Sequence, residues 1–382
     1  MFIVLSGFSL AVSPARRGWQ LGGRARFAHR RAWRILPPYW AALAFSLVMT
    51  WYVVAQPYLR MPNGKSVVVY GLLAQDVFTV GSPNRTFWSI AIEAQLYVLL
   101  PLLLLLVRRL SARAMVGVVA AIVVTIGVLG PHVRLMNTAL AKFTPDLAVL
   151  FAVGLLASGI VTAGERARSR PWAGYALAAA VPAIVLMIVK GSVWSNLNLF
   201  WLDLVWAPAI GCFLTAVATS HPRPVARFLN SRMPRSLGSC SYSLYLTHEP
   251  IIIAVSFGLI RGHVTAGTPT FFVLIAILLP VTVCFARMFA AVFELPFQRH
   301  RGWIPLRQAM SARLRQLRSS GPAAGYGRWR AAIRASGPRS QVDERCRPAR
   351  LQPAGYSALP ASRPGSPAPP GPGDFAVRPG SS

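Results

Sequence analysis

The sequence predicts an all-α, polytopic membrane helix bundle of about nine membrane segments with a basic C-terminal tail. Three observations carry this. Of 382 residues, 54% are hydrophobic and only 13% charged, with a mean hydropathy of +0.48; a soluble domain carries about 25% charged residues. Eight apolar runs come close to or reach the roughly 20 residues that cross about 30 Å of hydrocarbon. The basic residues, finally, alternate in density from one connecting segment to the next.

In chain order the long runs are 38–55, 87–107, 114–130, 145–162, 172–190, 200–219, 242–260 and 270–293. A ninth run, 1–13, is shorter and has no basic leader, so it does not read as a signal peptide. It reads as the end of a helix whose beginning lies upstream. Residues 66–80 include Gln75 and Asp76 and are expected to form an interfacial or re-entrant segment. Segments 14–37, 108–113, 163–171 and 220–240 carry 17 Lys and Arg, whereas 56–86, 131–144, 190–199 and 261–269 carry 7. Basic residues stay on the cytoplasmic side, which puts the first set inside and residue 1 outside. From residue 299 the composition changes to 15 Arg among dense Pro, Gly and Ser. That composition predicts a disordered cytoplasmic tail over 299–382, with a short basic helix over 307–318 as the alternative. Residues 1–298 form the membrane domain.

Charge and motifs exclude other classes. Forty Lys and Arg against ten Asp and Glu give a net charge of +30. The arginines sit in segments between apolar runs, so membrane topology accounts for them better than a nucleic-acid surface does. Cys212, Cys240, Cys284 and Cys346 form no CxxC pair and the histidines no HxxxH spacing, so no metal site is expected. There is no GxSxG elbow. Gly64-Lys65-Ser66 resembles the end of a P-loop, but Leu59 stands where the first glycine belongs. Asn84-Arg85-Thr86 matches a glycosylation sequon by chance.

Ionisable groups in a membrane segment cost about 2.5–3.5 kcal/mol at the helix centre, so those that occur there are functional candidates. Topology sorts them into two layers. Arg31 and Arg34, His248 and Glu249, and Arg287 with Glu294 lie toward the cytoplasmic face; Trp88, Glu93, Asp146 and Asp203 lie toward the outer face. For Arg31 and Arg34 two readings stand, positive-inside anchors or binding groups. Arg287 and Glu294, two helical turns apart, fit a snorkelling pair. Asp146 and Asp203 fit helix caps as well as substrate contacts. Glu93 lies a turn deeper than a cap belongs, which makes it the leading functional candidate. His248, next to Glu249 and on one face with Tyr245, is a candidate base.

Several stretches together resemble the membrane-bound acyltransferase 3 family. They are Phe2-Ile3-Val4-Leu5-Ser6-Gly7-Phe8, the stretch Arg30-Arg31-Ala32-Trp33-Arg34 through Tyr39, and Trp88-Ser89 with Glu93 and Tyr97. Ser241-Tyr242-Ser243-Leu244-Tyr245-Leu246-Thr247-His248 and Glu294-Leu295-Pro296-Phe297 complete the set. The resemblance implies a bundle of ten helices and an O-acyltransferase. Such an enzyme moves an acyl group, commonly acetyl, from cytoplasmic acyl-CoA to a hydroxyl of a sugar, a cell-surface glycan or a glycosylated small molecule. It implies that Arg31 and Arg34 bind the CoA moiety, that Trp88, Ser89, Glu93 and Tyr97 shape the acyl or acceptor pocket, and that His248 and Glu294 belong to the site.

The family's first helix, which carries a candidate catalytic His, is not among these residues, so the sequence is read as N-terminally incomplete. Position 94 is Ala where many relatives have a second Glu. The expected setting is the cell membrane, with acyl-CoA, a carbohydrate-bearing acceptor and the lipid bilayer as partners and no bound cofactor. The alternatives are a transporter or flippase of a lipid or glycoconjugate, and a catalytically inactive truncated remnant.

Overall fold

The computed structural model describes residues 1–53, 61–220, 222–257, 268–300 and 302–319. Among these, every regular element is helical. The chain divides into two units, Met1–Arg315 and Gln316–Ser382. Residues 320–382 of the expected tail lie outside the described residues, as do 54–60 and 258–267, which take in the ends of the expected runs 38–55 and 242–260 and parts of the connections that follow them.

In order, the helices are α1 (Phe2–Ala15), α2 (Arg24–Val48), α3 (Gly64–Gly71), α4 (Trp88–Arg109), α5 (Ala112–Leu129), α6 (Arg134–Phe143), α7 (Asp146–Thr162) and α8 (Glu165–Arg168). They continue with α9 (Trp172–Leu197), α10 (Leu199–Ala218), α11 (Arg223–Leu229), α12 (Arg232–Gly238), α13 (Ser241–Val255), α14 (Thr268–Phe289), α15 (Leu295–Arg299) and α16 (Trp303–Ser319). Five stretches are long and apolar enough to cross a membrane: Arg85–Arg109, Ala112–Leu129, Trp172–Leu197, Leu199–Ala218 and Ile275–Arg299. Phe2–Ala15 and Asp146–Thr162 are shorter apolar helices. Length and hydropathy therefore do not reach nine spans among the described residues. Arginines interrupt α2, and α13 is described over 15 residues.

The elements differ from the apolar runs in four places. α2 starts at Arg24, well before residue 38, because Arg30, Arg31 and Arg34 continue the helix; long basic side chains can carry their charge to an interface while the stem stays on apolar surface. α9 continues past residue 190 across Gly191, whose φ of 78° marks a kink that glycine accepts without strain. The segment expected as a loop at 131–144 contains the amphipathic helix α6. Within the described part of the tail, Trp303–Ser319 form α16, which contains the expected short helix at 307–318. The stretch resembling a P-loop has a structural explanation: Asn63 and Ser66 form a reciprocal capping box that starts α3.

One core forms around α7, which is buried along most of its length and packs against α1, α5 and α10. The α1–α7 approach is set by glycines. A Cβ at Gly7 would overlap the Phe151 carbonyl oxygen, and one at Gly154 would overlap that of Val4. Small residues at a helix crossing let the backbones meet, a device suited to a membrane, where no hydrophobic effect drives helices together. A second core joins α2, α4, α13 and α14 through Tyr39, Leu43, Phe87, Ile90, Leu246 and Phe289. The seam between the two cores is where the polar residues meet.

A candidate active site between α1, α2 and α4

Glu93 is 7% exposed on the inner face of α4. Its Oε1 accepts hydrogen bonds from Ser6 Oγ of α1 at 2.6 Å and from Tyr97 OH at 2.5 Å. Glu93 and Tyr97 are four residues apart, one turn on the same face, so the second bond follows from helical spacing. The first depends on Gly7, which brings α1 against α7 one residue away. Two hydroxyl donors hold the carboxylate in one orientation and compensate its burial.

Arg31 approaches the same group from α2. Its guanidinium lies 5.8 Å from the Phe27 ring centroid and 6.0 Å from that of Tyr97, within cation–π range. Two cavities meet at Phe27 and Arg31, which line both. One, of about 390 Å³, is lined by Arg30, Arg31 and Arg34 together with Ser9, Ser13 and Gln298, and no carboxylate lines it. Three guanidinium groups with hydroxyls between them form a receptor for a polyanion. The other, of about 660 Å³, has mostly apolar walls from α2 and α4, with Glu93, Tyr97, Arg31 and Arg24 as its polar groups. No histidine lines either cavity.

The remaining sequence candidates lie elsewhere. Ser89 bonds to Tyr245 OH at 2.5 Å and to the Thr86 carbonyl, and Tyr245 stacks on Phe2 at 6.0 Å. Glu249 accepts from Thr86 N–H at the start of α4. These contacts clasp α13 to the entry of α4. His248 is half-buried. Its Nδ1 lies 2.9 Å from the Tyr245 carbonyl oxygen, and its ring lines a separate apolar cavity of about 500 Å³ between α13 and α14. Glu294 is buried and accepts from Ser243 N–H, Ser243 Oγ and Gln298 Nε2. It thus caps the first turn of α13 from a neighbouring segment. The snorkelling pair does not form: Arg287 donates to Ser236 Oγ at 3.0 Å. Trp88 is half exposed and lines neither cavity of the seam. Asp146 of α7 and Asp203 of α10 lie within electrostatic reach of each other, and they too lie outside both cavities.

Sequence reasoning missed four participants. Arg30 sits in the quoted basic motif, and Phe27 is one turn before Arg31, so spacing alone held that signal. Ser6 lies in a quoted motif, but its partner is 87 residues away. Asn84 is almost fully buried: its amide donates to Ser46 Oγ and the Leu246 carbonyl and accepts from Thr86. A side chain so placed excludes glycan attachment in the folded chain, and the sequon is a structural turn.

Residues 1–288 match the family model described as an acyltransferase domain, the acyltransferase 3 family. The chain belongs to that family. The match runs from α1 almost to the end of α14, so the apolar cavity, the three arginines of the other cavity and His248 fall inside this acyltransferase domain, whereas Glu294 and Gln298 fall beyond it. None of the curated proteins and none of the solved structures matches the chain. Membership makes this a membrane acyltransferase in general terms.

Proposed function

We propose that the protein is an O-acyltransferase of the cell membrane, moving an acyl group from cytoplasmic acyl-CoA to a hydroxyl of a sugar, a surface glycan or a glycosylated small molecule. The observation that carries this reading is the shared wall. A cavity built for a polyanion and a cavity closed by a buried carboxylate meet at one arginine, Arg31.

In this reading Arg30, Arg31 and Arg34 hold the CoA phosphates, and the thioester carbonyl comes to rest beside Arg31. Its guanidinium stabilises the oxyanion that develops on attack. Glu93, oriented by Ser6 and Tyr97, accepts the proton of the acceptor hydroxyl. The hydroxyl oxygen forms the new ester bond, the carbon–sulfur bond breaks, and the proton passes to the departing CoA thiolate. Glu294 acts as a positioning residue: it holds the first turn of α13, which clasps the start of α4 and so sets where Glu93 stands, and His248 stands on α13 beside that clasp. Asp146, Asp203 and Trp88 contact the acceptor on the outer side.

The test is free CoA production in vesicles containing the full chain, supplied with acetyl-CoA and hydroxylated glycan acceptors. Acceptor-dependent thiol release that falls in both Arg31→Ala and Arg34→Ala at equal membrane level supports the reading. Normal release in both variants reduces these arginines to topological anchors. No release with any acyl-CoA, together with movement of a glycoconjugate across the vesicle, replaces the enzyme with a transporter.

A further inference from the structure

The apolar cavity beside Glu93 is larger than an acetyl group needs, and its shape is that of a groove. It follows α2 from Arg24 to Leu36 and α4 from Ile90 to Leu105. Along α4 it is rimmed by Val98, Leu102 and Leu105, which are 82%, 59% and 43% exposed, so it opens sideways toward the bilayer. Its polar side chains are Glu93, Tyr97 and Arg31, which stand together, and Arg24 at the start of α2.

We infer that this groove is the acyl-chain site of the donor, and that the preferred donor carries a chain of medium to long length rather than acetyl. The inference rests on the acyl-transfer reading above. Two observations select this occupant over an acceptor or its lipid tail. The groove shares Phe27 and Arg31 with the arginine-lined cavity, so a molecule whose anionic part occupies that cavity has its reactive end beside Arg31 and Glu93 and the groove next to it for its remainder. The groove also runs from Glu93 toward Arg108 and Arg109, the end of α4 that the basic-residue asymmetry puts on the cytoplasmic side, where acyl-CoA is found.

Helix geometry converts the groove into a length. From Glu93 to Leu105 the rise is about 18 Å at 1.5 Å per residue. An extended chain advances about 1.2 Å per bond, by the measure of three backbone bonds in 3.3–3.6 Å, so the groove holds about 15 carbons. Each methylene that enters strengthens binding by up to about fourfold. Tryptophan placed partway acts as a stop: on the same arithmetic, Val98→Trp leaves room for about 6 carbons and Leu102→Trp for about 11.

The experiment measures kcat/KM for acyl-CoAs of 2, 6, 10 and 14 carbons with the full chain in vesicles, for the wild type and both variants. The expected result is a wild-type preference that climbs toward the longer donors, with the optimum moving to the shortest chains in Val98→Trp and to intermediate ones in Leu102→Trp. A wild-type optimum at acetyl-CoA overturns the inference and leaves acyl transfer standing. So does a pair of variants that scale every donor equally, which assigns the groove to a bilayer lipid. Absence of thiol release from any donor overturns the acyl-transfer reading itself, and the inference with it.

Discussion

Replacing Glu93 separates its charge from its hydrogen bonds, because both donors share one oxygen. Ser6 Oγ and Tyr97 OH each bond to Oε1. Glutamine keeps an acceptor at that position, so Glu93→Gln retains both bonds in neutral form. A hydrogen bond to a charged group contributes about 1.5–3 kcal/mol and a neutral one about 1 kcal/mol, so the Gln variant is expected to lose roughly 1–4 kcal/mol over the two bonds. Glu93→Ala removes both acceptors and leaves two buried hydroxyls without their partner, at about 1–3 kcal/mol each, and adds a cavity in a tightly packed seam.

The order of stability is therefore wild type, then Gln, then Ala. For acyl transfer both variants should be impaired alike, by about 100-fold or more, as removal of a positioned base implies. Thermal unfolding in detergent and thiol release in vesicles, measured on the same preparations, read the two effects separately. Wild-type transfer by Glu93→Gln would refute the assignment of the base. A Gln variant as unstable as Ala would refute the geometry in which one oxygen serves both donors.

Three further outcomes follow from other contacts. Asn84→Ala should cost about 2–4 kcal/mol, because it strips partners from buried groups of the α4 entry; an unfolding transition at the wild-type temperature would contradict the clasp. Burial raises the Asp76 carboxyl to about 6, so its neutral form is the one the fold favours. The resulting stability is present below about pH 4 and fades as the pH rises through about 6, and a melting curve of Asp76→Asn should lack that decline. Gly154→Val should separate α1 from α7 and lower the amount of folded protein in the membrane, since the new side chain meets the Val4 carbonyl; normal yield would show that the two helices have room to shift.

The helices of this protein were legible as apolar runs because hydrophobic length is a local property. Their ends were less so: the arginines of α2 look like a loop until one sees that the helix carries them, and only the conformation of Gly191 shows why the run at 172–190 resumes beyond its kink. Glu93 stood out because a carboxylate one turn too deep for a cap has no local use. Glu294 looked like a site residue to the same reasoning, and its partner, Ser243, is dozens of residues distant. Its use in holding helices together is a tertiary fact with no spacing to announce it. Ser6 is the same case at the site itself.

The glycine crossing of α1 and α7 has a bearing on how such a chain tolerates change. Gly7 presses one face of α1 against α7 while the adjacent Ser6 reaches Glu93. The helix thus works as a gauge block, transmitting the thickness of one residue on α7 to the height of a hydroxyl across the seam. Position 154 lines neither cavity, yet its size sets where Ser6 stands. A methyl group added there meets the Val4 carbonyl oxygen, so its effect reaches the Ser6–Glu93 bond as well as the packing of the two helices, and surveys that sort substitutions by distance from the cavities will misplace it.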